Sequence, residues 1–133
     1  MPVDEHGLEI INAAECRRLL KTRAVGRIGI SIDALPVVMP VFYGVDGDYV
    51  VFRSMPDTPV GKALEDCVVC LEVDSLGEDD DPWGVVVTGE AQRVTNDIDV
   101  ARLDTLGVPD VVDSTIWVRI PTKIVLGRRI RTS

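Results

Sequence analysis

The middle of the chain alternates short apolar segments with turn-forming residues, a pattern typical of antiparallel strands. Residues 27–32, 37–43 and 49–53 are rich in β-branched and aromatic residues. The segments DALP and GVDGD between them are turn formers, so a meander is predicted. In the first strand every second residue is isoleucine, and Gly29 and Ser31 lie between them. The isoleucine face of this strand is therefore expected to pack in the core, while the opposite face carries only small side chains at these positions.

Four more strands are predicted further along the chain, at residues 68–73, 83–94, 115–120 and 123–129. The second of them contains Gly89, where a bend or bulge is expected. Together with the meander they suggest an antiparallel barrel, because closure removes exposed strand edges. A sandwich is the alternative. The predicted fold class is mainly β with a few short helices.

Capping residues indicate three short helices. Asn12 and Glu15 have the spacing of a capping box at the start of the first helix. Thr58 suits the N-cap of the second helix, and Pro59 suits its first position. The third helix is predicted over residues 96–106. These helices interrupt the strand pattern without changing the fold class.

Length and composition are typical of one domain, over residues 1–133, with a core that needs no disulfide. Residues 1–10 are expected to form a flexible arm, and they carry acids where a secretory signal has basic residues. No apolar run approaches the roughly 20 residues of a membrane helix, so we expect a cytoplasmic protein. The net charge of −8 argues against nucleic acid as a partner. The single histidine, His6, disfavours histidine-dependent catalysis and histidine-rich metal sites.

Two cations stand out in an acidic part of the sequence. Between residues 33 and 70 the only basic residues are Arg53 and Lys62. They flank a polar loop, residues 53–58, and the start of the predicted second helix. Cations at a helix start favour a local anion site. The alternative is that both are ordinary solvated surface charges.

The same loop offers several hydrogen-bond donors suited to a phosphate. Arg53 has a planar fork of donors, and Ser54 and Thr58 add hydroxyl groups. Lys62 follows within the first turn of the helix, so its long side chain is expected to reach back to the same anion. The helix start is expected to add the free backbone amides of Val60 and Gly61.

Five segments, taken in order, resemble a known family. They read VGRIGIS, LPVVMPVFYGVDGDYVVFRS, VVCLEVD, WGVVVTGEAQRV and WVRIPTKIVLGRRI. Over about residues 12 to 130 their order and spacing resemble the pyridoxamine 5′-phosphate oxidase-like split β-barrel family of flavin-binding proteins. The resemblance implies a split antiparallel β-barrel and a homodimer with its cofactor clefts at the interface. The cofactor that it implies is FMN, with a deazaflavin coenzyme as the alternative.

The resemblance also assigns cofactor-binding residues. It places the strand segment Val38, Met39, Pro40 and Val41 beside the isoalloxazine ring. It places the loop residues Arg53, Ser54 and Thr58 at the phosphate. We add Lys62, whose side chain is expected to reach the same anion.

The phosphate loop departs from the family pattern at two positions. Where the family typically has a glycine and then a lysine, this chain has Asp57 and Pro59. A phosphate-binding cation is therefore missing from its usual place, and Lys62 is expected to replace it. Asp57 adds a negative charge near the expected anion, which opposes anion binding.

The predicted function is that of a flavin-dependent oxidoreductase, using FMN or a deazaflavin, which acts on a small organic acceptor. The cofactor carries the redox chemistry in such enzymes, and no residue here has the pattern of an obligatory acid or base. Two alternatives remain open. One is a module that binds flavin or another phosphate without turnover, and the other is a degenerate split-barrel dimer without a cofactor. The missing lysine favours these alternatives.

Overall fold

The computed structural model describes residues 2–78 and 80–131. In chain order its elements are β1 (Glu9–Ile11), α1 (Ala13–Leu20), β2 (Val25–Ile32), β3 (Leu35–Asp46), β4 (Tyr49–Ser54), α2 (Pro59–Ala63), β5 (Val68–Ser75), β6 (Trp83–Glu90), β7 (Gln92–Val94), α3 (Asp97–Leu103), β8 (Ile116–Pro121) and β9 (Ile124–Arg129). None of these helices has the length and the apolar run needed to cross a bilayer.

The strands form one curled antiparallel sheet in the order β1-β9-β6-β5-β2-β3-β4-β8-β7. The long strand β3 belongs to both halves, because its residues 35–42 pair with β2 while residues 43–46 pair with β4. The chain crosses again between β6 and β7, which pair with β5 and β8 respectively. This arrangement confirms the prediction of a split antiparallel barrel, mainly β with a few short helices.

One strand boundary differs from the prediction. The sequence predicts one strand over residues 83–94 with a bend or bulge at Gly89, but the chain leaves its first partner two residues later, at Ala91. The backbone N–H of Ala91 donates to the Cys67 carbonyl at 2.8 Å, and its carbonyl accepts from the N–H of Asp66 at 2.9 Å. Ala91 is fully buried, so its small side chain lets the strand turn from one half of the sheet to the other.

The sequence predicts a flexible arm over residues 1–10, and in the structure residues 9–11, at the end of this segment, pack along the last strand. Strand β1 pairs with residues 127–129 of β9. The buried carboxylate of Glu9 bonds to Arg131 and also pairs with Arg129, at 3.4 Å. The hydrogen bond from Arg131 lowers the pKa of Glu9 below its ordinary value. These partners lie more than 100 residues away in sequence, and no local pattern indicates them.

The helix start after the polar loop is confirmed, and it is tightly folded. Thr58 caps α2: its Oγ1 accepts from the N–H of Gly61 at 2.9 Å and donates to the carbonyl of Met55 at 3.3 Å. A Cβ on Gly61 would lie 2.1 Å from that carbonyl oxygen. Asp57 has φ +61°, a left-handed conformation that glycine adopts freely and aspartate tolerates. This conformation explains why a glycine suits this position in the family pattern.

The two faces of the sheet differ sharply. The inner face carries the buried core, including Ile28, Leu71 and Val87. The outer face of β2, β3, β5, β6 and β9 leaves six large apolar side chains exposed: Val25, Val38, Phe42, Val68, Ile124 and Leu126. We call this set the outer apolar face.

A charged cluster lies within the outer apolar face. Arg27 contacts Asp74 at 2.7 Å and Glu72 at 3.4 Å. Partial burial raises the pKa of Glu72 to about 7, and a hydrogen bond and charge repulsion from Asp74 act in the same direction. Arg27 opposes this effect only in part. Glu72 therefore takes up a proton in the folded protein at a pH where the unfolded chain is ionised.

Gly61→Ala should destabilise the protein by about 2 kcal/mol, because the new methyl group overlaps the Met55 carbonyl and forces the backbone to shift. Urea unfolding measures this change. The matched control is Gly84→Ala, whose Cβ meets nothing closer than 3.6 Å and should change the free energy of unfolding by less than about 0.5 kcal/mol. Equal stability of both variants would show that the loop does not fold tightly onto α2.

Glu72→Gln should remove a pH-dependent loss of stability. Because the pKa of Glu72 is raised in the folded protein, its protonation contributes fully to stability below pH 4.5, and this contribution is lost as the pH rises towards 7. The side chain is 35% exposed, so solvent screening reduces the expected effect to a Tm difference of about 4 °C. Thermal unfolding of both proteins at pH 5 and pH 7.5 measures it. A constant Tm difference across this range would contradict the assignment.

Candidate functional site

A cavity of about 640 Å³ opens where the two halves of the sheet separate. Residues 35–42 of β3 pair with β2 on one side, while β4 pairs only with the later residues of β3 and with β8. The gap between early β3 and β4 is lined by both strands, by α2 and by the α3–β8 connection. Its volume is within the usual range for small-molecule and cofactor sites.

The cavity has apolar walls and one polar end. The walls include side chains from three strands and α2, such as Ile28, Met39, Val41, Phe42, Phe52 and Leu64. The polar groups are Arg53, Ser54, Thr58 and Ser114. Pro40 lies on the edge of β3 that faces the gap, where its missing N–H costs no ladder hydrogen bond. The shape and polarity suit a flat apolar ligand with an anionic end.

Six of the eight cofactor-binding residues that the sequence predicts line this cavity. They are Met39, Pro40, Val41, Arg53, Ser54 and Thr58. Val38 and Lys62 do not line it. Val38 pairs with Gly29 and is exposed on the outer apolar face, earlier in β3 than the lining residues 39–42. Lys62 is exposed on α2, a helix of only five residues.

The donors of the polar loop are less available than the sequence suggests. The N–H of Gly61 is already bonded to the Thr58 hydroxyl, and the close backbone approach at Gly61 is made by Met55. The same Thr58 hydroxyl also contacts the Met55 carbonyl. The expectation of two free amides at Val60 and Gly61 is therefore wrong for Gly61. The helix start uses its own cap to satisfy that donor.

Arg53 is the centre of the polar end, and it has partners that the sequence analysis missed. Its side chain is 15% exposed, and its guanidinium carbon stacks over Trp117, 4.2 Å from the ring centroid. Its Nη2 contacts Oδ1 of Asp110 at 3.1 Å and Oδ1 of Asp104 at 3.5 Å. Asp104 also accepts a hydrogen bond of 2.9 Å from Nε1 of Trp117. These contacts hold the guanidinium in place beside the cavity.

One donor of Arg53 has no partner. Its Nε is buried and makes no hydrogen bond to any residue that the structure describes. An unpaired buried donor costs about 1–3 kcal/mol, so an acceptor supplied by a ligand would be stabilising. The lining residues thus fit a ligand that combines an apolar ring system with an oxygen-rich anionic end.

Comparisons with known proteins agree with this geometry. The family model described as pyridoxamine 5′-phosphate oxidase matches residues 12–129. A curated relative, an uncharacterised protein of Mycobacterium tuberculosis, is 34% identical over 128 residues, covering 87% of this chain and 81% of the relative.

Two solved structures are similar over most of their length. The FAD-binding protein from Mycobacterium smegmatis is 31% identical with a TM-score of 0.81, covering 92% of this chain and 98% of the other. An FAD-binding protein from Mesorhizobium loti shares the fold with a TM-score of 0.71 at 22% identity, covering 93% and 99%. With the match of the family model over nearly the whole chain, the protein belongs to the pyridoxamine 5′-phosphate oxidase family.

Proposed function

We propose that this protein binds a flavin in the cavity beside β3 and acts as a flavin-dependent oxidoreductase on a small organic molecule. The observation that carries the proposal is the apolar cavity that ends at Arg53, whose buried Nε has no partner. The FAD-binding protein from Mycobacterium smegmatis, which is 31% identical to this chain, supports a flavin as the cofactor class.

The residues of this chain would bind and orient the cofactor. Met39, Pro40 and Val41 would lie along the ring, and the apolar walls would exclude water from it. Arg53, held by Trp117, would bond to the anionic end and set the position of the ring along β3. A bound flavin supplies hydride transfer, so the protein need only position the substrate against it.

A second candidate is a flavin-binding module without turnover. The lining residues that the structure describes include no histidine, lysine, aspartate or glutamate, so no side chain there is suited to transfer protons at neutral pH. This observation is compatible with a hydride-transfer enzyme that takes protons from solvent, and equally with a carrier. Turnover of a nicotinamide donor in the presence of bound flavin distinguishes the two candidates.

We also propose that two copies of this chain associate through the outer apolar face. Its exposed side chains lie on one face of the sheet and come from four strands, β2, β3, β5 and β9, and exposed apolar patches are typical of protein interfaces. Val25 and Phe42 of this face also line the cavity. A second copy on this face would therefore close the open side of the cavity and bury the ring of a bound flavin.

Arg53→Ala should weaken flavin binding at least about tenfold, because it removes charge-assisted hydrogen bonds to the anionic end. Lys62→Ala should change the affinity less than about twofold, since Lys62 lies outside the cavity and an exposed charge is screened by salt. Titrations of flavin fluorescence give both affinities, and a Tm measurement confirms that each variant is folded. A loss only in Lys62→Ala would support the interpretation from sequence over the structure. Failure of the wild type to bind any flavin would favour a degenerate fold without a cofactor.

Ile124→Glu should convert the dimer to a monomer. Ile124 is 64% exposed in the outer apolar face and is not among the residues that line the cavity, so a charge there opposes association without altering the lining. Ile98→Glu is the matched control, because Ile98 is 77% exposed on α3, away from that face. Light scattering should give twice the chain mass of 14.5 kDa for the wild type and the control, and the single mass for Ile124→Glu. A monomeric wild type would refute the proposal.

A further inference from the structure

We propose that Asp104 and Asp110 make the polar end of the cavity selective for a flavin whose phosphate is a singly charged diester, over one that ends in a phosphomonoester. This inference rests on the proposed function, since it concerns the choice among flavins. Its basis is the charge around Arg53, because two carboxylates contact this guanidinium and reduce the positive charge available to a phosphate.

The polar end holds less positive charge than the sequence suggests. Arg53 is the single charged residue among the described residues that line the cavity. Two carboxylates contact the same guanidinium nitrogen, Asp110 at 3.1 Å and Asp104 at 3.5 Å. Lys62, the other cation near this loop, does not line the cavity. One cation and two carboxylates leave this group of three side chains with a net charge of −1.

The two classes of phosphate differ in the charge that they bring to this group. A phosphomonoester carries about −1.5 to −2 at pH 7, whereas a diester carries −1. Each additional negative charge on the ligand is repelled by the two carboxylates that contact Arg53, of which Asp104 is 52% exposed and Asp110 is 91% exposed. The buried Nε of Arg53 still offers one donor to either ligand. One guanidinium that already contacts two carboxylates satisfies a singly charged phosphate better than a dianion, which needs several free donors once it leaves water.

The two aspartates are held to different degrees. Asp104 is the C-cap of α3, and its Oδ1 accepts from Trp117 Nε1 at 2.9 Å, so its carboxylate is fixed in place. Asp110 lies in the α3–β8 connection with 91% of its side chain exposed, so it can move away when a ligand arrives. Asp104 is therefore the fixed determinant of selectivity, and Asp110 contributes less.

The test compares two ligands that share every atom of the ring and ribityl chain. They are FMN and its phosphate monomethyl ester, with riboflavin as an uncharged reference. The wild type should bind the methyl ester about tenfold more tightly than FMN at pH 7.5, as expected for one extra charge beside two carboxylates. In Asp104→Asn/Asp110→Asn this ratio should fall to about one through a gain in FMN affinity. The asparagine at 104 keeps an oxygen that can accept from Trp117.

Two further variants keep the test decisive. Asp110→Asn changes a side chain that is 91% exposed, and it should reduce the ratio by about twofold or less. Asp113→Asn removes an exposed charge from the same connection, at φ +61° where asparagine is tolerated, and should leave the ratio unchanged.

The outcomes separate this inference from the proposed function. If the wild type binds none of the three flavins, the proposed function fails. If it binds FMN as tightly as the methyl ester or more tightly, the proposed function stands and the selectivity inference is overturned. An unchanged ratio in both aspartate variants also overturns it, because the discrimination would then arise elsewhere.

Discussion

The structure depends on the division of β3 between two partners. Its first eight residues pair with β2, and its last four pair with β4, so the two halves of the sheet must separate along this strand. The separation leaves one edge of early β3 free to face a ligand and opens the cavity beside it. Pro40 fits this edge because it needs no ladder partner there. The position of the site thus follows from backbone pairing before any side chain is considered.

The charge of the site follows from the need to hold a largely buried guanidinium. Arg53 projects from the end of β4 into an apolar surrounding, where an unpaired cation is costly. Trp117 and two aspartates from another part of the chain stabilise it, and the same contacts reduce its attraction for a ligand anion. A guanidinium that stabilises the protein in this way has fewer donors left for a ligand, and its Nε has no partner among the described residues.

The outer apolar face adjoins the cavity through Val25 and Phe42. Gly29, which has no side chain, lies beside the exposed Val38 on this face. The face also carries the ion pairs of Arg27 with Glu72 and Asp74, and the pKa of Glu72 is raised to about 7. Because Val25 and Phe42 belong both to this face and to the cavity lining, a second chain packed on the face would change the access of a ligand to the cavity. Cofactor binding and association are therefore expected to be coupled through β2 and β3.

The sequence by itself determined the elements and indicated several of the residues that line the cavity. Alternation of apolar residues defined the strands, and the caps at Asn12 and Thr58 defined the starts of α1 and α2, because these signals are local. Six of the eight predicted site residues line the cavity because they lie in those strands and that loop. Only the tertiary structure placed Asp104 beside Arg53, 51 residues away in sequence, and left Lys62 outside. Such contacts depend on how the sheet curls, and no local spacing encodes that geometry.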